Sequence, residues 1–185
     1  MDSLLVQGGR HPAPLDLRIA KGRPYDSTAV AVLISKGDLS DPQVTSLVQR
    51  HLLRARAETA AGSAHALDAG ELRAPEISLW AARDAGTLLG IAALKRLSPD
   101  HGEVKSMYTA EDARRRGVAR ELLQHIVAEA RSAGLARLSL ETGSWDYFEP
   151  ARALYRSFGF RPCEPFANYK LDPHSVFMTL ELRHR

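Results

Sequence analysis

"EDARRRGVARELLQHIVAEARSAG", Glu111 to Gly134, sets three arginines and a glycine directly ahead of a long amphipathic run. In that run Val118, Ala119, Leu122, Leu123, Ile126, Val127 and Ala130 form one apolar stripe at a period of 3.6. Glu121, Gln124, Arg131 and Ser132 face away from it. The spacing predicts a helix opening beside Gly117 and closing at Gly134, where a helix C-terminal glycine belongs. The first turn of a helix presents amides that no earlier carbonyl satisfies, and it carries the positive end of the macrodipole. Arginines there oppose that dipole by ~0.3–1 kcal/mol, so their placement favours a bound anion. Gly117 has no Cβ to block close approach to the backbone, and the forks of Arg114, Arg115 and Arg116 suit phosphate oxygens. Phosphate is the usual guest of such a helix mouth; a solvated basic face is the plainer account of the same residues. No G-x-G-x-x-G and no G-K-[ST] is present, which sets aside a Rossmann turn and a P-loop.

Outward from this stretch the pattern alternates strands and helices. "STAVAVLISKGD" is β-branched and short, a first strand. "DPQVTSLVQRHLLRARAETA" starts Asp-Pro and spaces Val44, Leu47, Val48 and Leu52 as a helix. "AGSAHALDAGELRAP" reads as a loop or a short second helix. "EISLWAAR" and "TLLGIAALKRL" flank Asp84-Ala85-Gly86 as a hairpin, and "GEVKSMYT" is a further strand. After the central helix come the strand "LARLSLET", the short helix "EPARALYRSFGF" ending at Gly159, and the closing strand "SVFMTLEL". The expected order is strand, helix, three strands, helix, strand, helix, strand, an α/β layered domain on a mixed sheet. Residues 1–27 are rich in Gly, Pro and Arg without a periodic apolar face, and are expected to be a flexible extension to a domain spanning 28–185.

The bulk numbers bound the function classes. With 185 residues, 44% of them hydrophobic and 25% charged, the chain has material for one core. Its net charge of +3, from 25 basic and 22 acidic residues, is too balanced to argue for nucleic acid or an anionic membrane. One cysteine, Cys163, excludes an internal disulfide and a cysteine-rich zinc site, and fits a cytoplasmic protein. No His/Cys/Asp cluster has metal-ligand spacing, so no metal is expected. No apolar run reaches the ~20 residues that span a bilayer.

Arg114-x-x-Gly117-x-Ala119 resembles the [QR]-x-x-G-x-[GA] signature of the GNAT superfamily of acyl-CoA-dependent N-acyltransferases. Ala151, Leu154, Tyr155, Gly159 and Phe160 resemble its A-x-x-L-Y-x-x-x-G-F signature. "HGEVKSM", "LSLETGS", "EPARALY" and "SVFMTLEL" look like a bacterial subgroup of that superfamily, and the resemblance runs from about Thr28 onward. It implies a mixed, mostly antiparallel sheet splayed between its fourth and fifth strands, with helices on both faces. Acetyl-CoA as cosubstrate would lie in that split. The turn from Arg114 through Gly117, Val118 and Ala119 would hold its pyrophosphate, and Met107, Tyr108 and Thr109 would pair with the pantetheine arm as an added strand does. Many members carry Asn where this chain has Phe148, which leaves Phe148 apolar contact with the cofactor.

The resemblance also implies acetyl transfer to a primary amine of a small molecule or peptide by direct attack through a tetrahedral intermediate. An oxyanion donor is expected near Met107 or Tyr108 and a general acid at Tyr155. Glu103 and Glu141, on the two splayed strands, are the candidate bases. His65 and Tyr169 are candidate acceptor contacts. Each has a plainer reading: core packing for the tyrosines, surface or strand-pair carboxylates for the glutamates, a solvated loop histidine for His65. Two rivals remain at this level, a non-catalytic CoA sensor, which Phe148 favours, and a nucleic-acid binder using Arg114, Arg115, Arg116 and Arg120, which the charge balance opposes. The apolar last strand leaves a homodimer open.

Overall fold

The structure, a computed structural model, describes residues 32–59 and 65–182. The expected extension over 1–27 and the start of the first predicted strand lie outside the described residues.

Chain order is β1 (Leu33–Lys36), α1 (Pro42–Glu58), β2 (Ile77–Asp84), β3 (Thr87–Arg96), β4 (His101–Thr109), α2 (Val118–Ser132), β5 (Arg137–Gly143), α3 (Glu149–Ser157), β6 (Arg161–Pro162) and β7 (Ser175–Glu181). The strands form one sheet in the order β1-β2-β3-β4-β5-β7-β6, antiparallel except for the β4–β5 pair. The sequence reading missed only β6, a two-residue strip that pairs Arg161 with Thr179 and Pro162 with Met178. Its Pro and its brevity hide it from a periodicity test. It borders the outer edge of β7, the strand expected to offer a dimer edge. The segment between α1 and β2 is no α-helix where it is described; it holds one short 3₁₀ turn, Glu71–Arg73.

Local chemistry accounts for the helix limits. Asp41 caps α1 by accepting from the Gln43 amide at 2.8 Å, with Pro42 in the first turn. At the end of α2, Gly134 takes φ 73°, and the amides of Gly134 and Leu135 bond back to Arg131 and Ala130 at 3.0 Å each. That paired return is the Schellman motif. The same return closes α3, with Gly159 at φ 92°.

Packing then sets where the site lies. β3 is buried at successive residues from Leu88 to Leu94, and successive residues face opposite sides, so the sheet is covered on both. α1 and α2 both pack on β3 and β4. α2 buries Val118, Leu122, Leu123, Ile126, Val127 and Ala130, its predicted stripe except Ala119. Each buried Leu or Ile contributes roughly 1.5–3 kcal/mol. Gly90 permits the close seat: a Cβ there would meet the Tyr108 carbonyl oxygen at 2.9 Å and Val118 and Leu122 at 3.1 Å.

The parallel β4–β5 pairing lasts only from His101↔Arg137 to Glu103↔Ser139. Beyond Glu103 the strands separate, so Val104 to Thr109 have a strand partner on the β3 side alone. The sheet is therefore split in its middle, and α2 begins immediately after the free end of β4.

Candidate active site

Three connected cavities follow the split. The largest, about 680 Å³, is lined by His65, Leu67, Lys95, Glu103, Lys105 and Tyr169, among others. A groove of about 300 Å³ runs along Met107, Tyr108 and Thr109, past Arg114 and Ala119, to Phe148 and Tyr155. A neck of about 120 Å³ lies between them and holds Ser106 and Glu141. His65, Ala66 and Lys105 line both the large cavity and the neck. His51, Ala55, Met107, Phe148, Ala151 and Tyr155 line both the groove and the neck.

The predicted phosphate turn stands at one end of the groove. Gly117 sits at φ 85° and Arg115 at φ 60°, and no side chain caps α2. The first backbone bond into the helix is Glu121 N–H to the Gly117 carbonyl at 3.1 Å. The earlier amides are thus the uncapped donors of a helix start. Among the three arginines, Arg114 lines the groove, while the Arg116 guanidinium lies 3.9 Å from Asp84. Val118 is buried beneath the turn.

β4 reaches the groove through a bulge. Tyr108 pairs with Ile91 and Lys105 with Ala93, so Ser106 and Met107 together face the single residue Ala92. Ser106 carries the strain at φ 51°, and its buried Oγ has no hydrogen-bond partner among the described residues.

At the neck, Tyr155 projects from α3 and is 7% exposed. Burial, with the Glu141 charge second, pushes its phenol well above the usual range, so the hydroxyl stays protonated. Burial also raises the Glu141 carboxyl, against a 2.7 Å hydrogen bond from Ser175 Oγ and the nearby His65 and Lys105. Phe148 fits against Gly143, where a Cβ would meet the ring at 2.2 Å. Arg152 fixes this corner: its guanidinium donates to the Gly143 carbonyl at 2.6 Å and the Trp145 carbonyl at 3.0 Å, and bridges Glu149 at 2.8 Å.

The large cavity holds a closed polar cluster. Tyr169 Oη donates to Glu103 Oε1 at 2.6 Å and accepts from Lys105 Nζ at 2.8 Å. Lys105 also donates to the His65 carbonyl at 2.9 Å and lies 3.3 Å from Glu103 Oε1. The His65 and Tyr169 rings meet edge to face at 5.0 Å. Glu103, His65 and Tyr169, far apart in sequence, are thus brought together. Glu141 faces the neck beside Tyr155, where His65 also reaches, and is hydrogen-bonded by Ser175 rather than by Tyr169.

Sequence reasoning passed over Lys105, Ser106, Arg152 and two α1 residues, His51 and Arg54. His51 was visible in principle: it falls four residues after Leu47, a polar side chain on the apolar stripe of α1. Arg54 stacks on Tyr147 with its guanidinium carbon 5.0 Å from the ring centre, a pairing no local pattern signals.

Residues 46–160 match the model of the acetyltransferase (GNAT) family. The uncharacterized N-acetyltransferase YsnE of Bacillus subtilis is 53% identical over 145 residues, 78% of this chain and 96% of that protein. The uncharacterized N-acetyltransferase YedL of Escherichia coli is 46% identical over 80% of this chain and 94% of its own. A Klebsiella pneumoniae crystal structure assigned as an acyl-CoA N-acyltransferase superposes with a TM-score of 0.68 at 28% identity, covering 83% of this chain and 99% of that one. The chain belongs to the GNAT family of acetyltransferases, and the expected split sheet is the fold observed. No helix among the described residues is long and apolar enough to cross a membrane.

Proposed function

We propose that the protein moves the acetyl group of acetyl-CoA directly onto a primary amine of a small molecule or peptide, in the cytoplasm, with residues 28–185 as the catalytic domain. The observation that carries this reading is the neck. It joins a groove ending at an uncapped, arginine-flanked helix start to a separate, larger polar cavity, and Tyr155 stands on its wall.

In this reading the amides of Arg115 to Ala119, with Arg114, hold the pyrophosphate. The free edge of Met107, Tyr108 and Thr109 pairs with pantetheine, and Phe148 packs on its end. The acceptor enters through the large cavity past His65 and Tyr169. Its nitrogen lone pair attacks the thioester carbon, and the π pair moves onto oxygen. Collapse of that oxyanion breaks the C–S bond, and Tyr155 protonates the departing thiolate. Glu141 takes the amine proton: it lines the neck, and its raised carboxyl is a stronger base than an ordinary one. Glu103, hydrogen-bonded by Tyr169 and paired with Lys105, orients the acceptor cavity instead. Over the turnover the amine proton is exchanged for one on the CoA sulfur.

The test is calorimetric titration with CoA and acetyl-CoA, followed by thiol release from acetyl-CoA across a panel of primary amines. Micromolar binding of both, with amine-dependent thiol release, is expected. Absence of CoA binding would remove the reading.

A further inference from the structure

The acyl carbon of a thioester lying in the groove and reaching the acceptor must stand where groove and neck share walls. The residues common to both are His51, Ala55, Met107, Phe148, Ala151 and Tyr155. Among those side chains, only Tyr155 and His51 carry a protic polar group. Tyr155 already has a role at the sulfur. We propose that His51, resting on Tyr108 of β4, is a hydrogen-bond donor to the thioester carbonyl oxygen and to the oxyanion it becomes.

This rests on the acetyltransferase reading above. It adds to that reading a protic side chain from α1, the helix whose Arg54 and Ala55 also line the groove. The His51 ring lies 5.1 Å from the Tyr108 ring at 36°, which ties it to the strand whose bulged backbone borders the neck. Burial, then the Lys105 charge, lowers its pKa to about 4. The charged and titratable groups sharing its two cavities are Arg54, His65, Lys105, Tyr108, Arg114, Glu141, Tyr147 and Tyr155. With cations prominent among them, the imidazole is neutral at physiological pH. A neutral imidazole still donates one N–H, and it does not become a competing acid beside Tyr155. His51 keeps its own proton throughout: it polarises C=O on attack and releases the oxygen when the C–S bond breaks. A preorganised donor of this kind acts most on the charge that develops in the transition state.

The test compares wild type, His51→Leu and His51→Gln as full chains. Acetyl-CoA and CoA affinities are measured by calorimetry, and the carbonyl stretch of bound acetyl-CoA, ¹³C-labelled at the carbonyl, by infrared difference spectroscopy. His51→Leu is expected to bind CoA as wild type does and acetyl-CoA roughly 3–10-fold more weakly. Its bound carbonyl stretch should move to higher wavenumber, and kcat should fall ~10²-fold. His51→Gln keeps an N–H donor and should recover part of both. Its pH profile should match wild type above pH 6, since the imidazole there is already neutral. An unchanged carbonyl stretch and unchanged acetyl-CoA to CoA affinity ratio in His51→Leu would overturn the proposal while leaving the CoA groove intact. So would a wild-type acidic limb near pH 6.5 that His51→Gln removes, which would make His51 the base. Failure of wild type to bind either ligand would overturn the acetyltransferase reading itself. Should His51→Leu fail to fold, His51→Phe, which fills the ring's place without an N–H, is carried through the same measurements and decides.

Discussion

At the scale of single residues, the neck gives two titratable groups different environments. Tyr155 is raised and stays a phenol, and Glu141 is raised toward neutrality without being consumed by an ion pair. Tyr155→Phe keeps the ring and its contact with Phe160, so CoA affinity and melting temperature should hold while kcat falls ~10²-fold, the low end for general acid catalysis because a thiolate leaves readily. Steady-state kinetics with a thiol reagent checks this. Glu141→Gln should remove the acidic limb of kcat/KM. In wild type that limb should lie above the ordinary carboxylate range, because burial holds the proton on more tightly in the folded enzyme. Glu103→Gln should instead raise the acceptor KM, since it loosens Tyr169 and Lys105. Gly143→Ala drives a methyl into Phe148 and should raise the KM for acetyl-CoA by displacing that ring from the groove.

At the scale of elements, α2 and its phosphate-turn mouth were legible in advance, and which arginine lines the groove was not. Its stripe, its opening glycine and its closing glycine are all local features. Which arginine faces the groove depends on β2, since Asp84 lies close to Arg116. Arg114→Ala should therefore raise the KM for acetyl-CoA more than Arg116→Ala does, with the acceptor KM nearly unchanged in both. Gly117→Ala tests the turn itself. A Cβ there meets nothing within 4 Å, but φ is 85°, so the cost is backbone strain of about 1–2 kcal/mol. A fall in melting temperature of roughly 2–8 °C follows, with weaker CoA binding in the folded variant by calorimetry. Wild-type CoA affinity in folded Gly117→Ala would detach the turn from the cofactor.

At the scale of the whole molecule, the half-buried His51 couples stability to pH. His51 binds its proton at about 4 when folded and near 6.5 when unfolded. Between those values the unfolded chain holds more protons, so stability is fully present above pH 6.5 and is lost as pH falls toward 4. The loss is roughly 3 kcal/mol at most. Urea titrations should show His51→Gln with a flatter stability curve across that window.

The amino-acid sequence by itself determined the elements other than β6, their order and the mouth of α2, because caps, glycines and hydrophobic periodicity act within a few residues of one another. It also placed Tyr155 on the buried face of α3, since the phase of that face is set by Ala151 and Leu154. Only tertiary structure decided how the two glutamates divide. Glu103 and Glu141 look alike on their strands, and it takes Tyr169, 66 residues along the chain, to occupy the first, while Ser175, 34 residues along, meets the second. His51 drew no notice for the same reason. A polar residue on the apolar stripe of a helix reads as an irregularity until the splayed strands open a neck beside it. That opening comes from where β4 stops pairing with β5, a long-range event that no local pattern encodes.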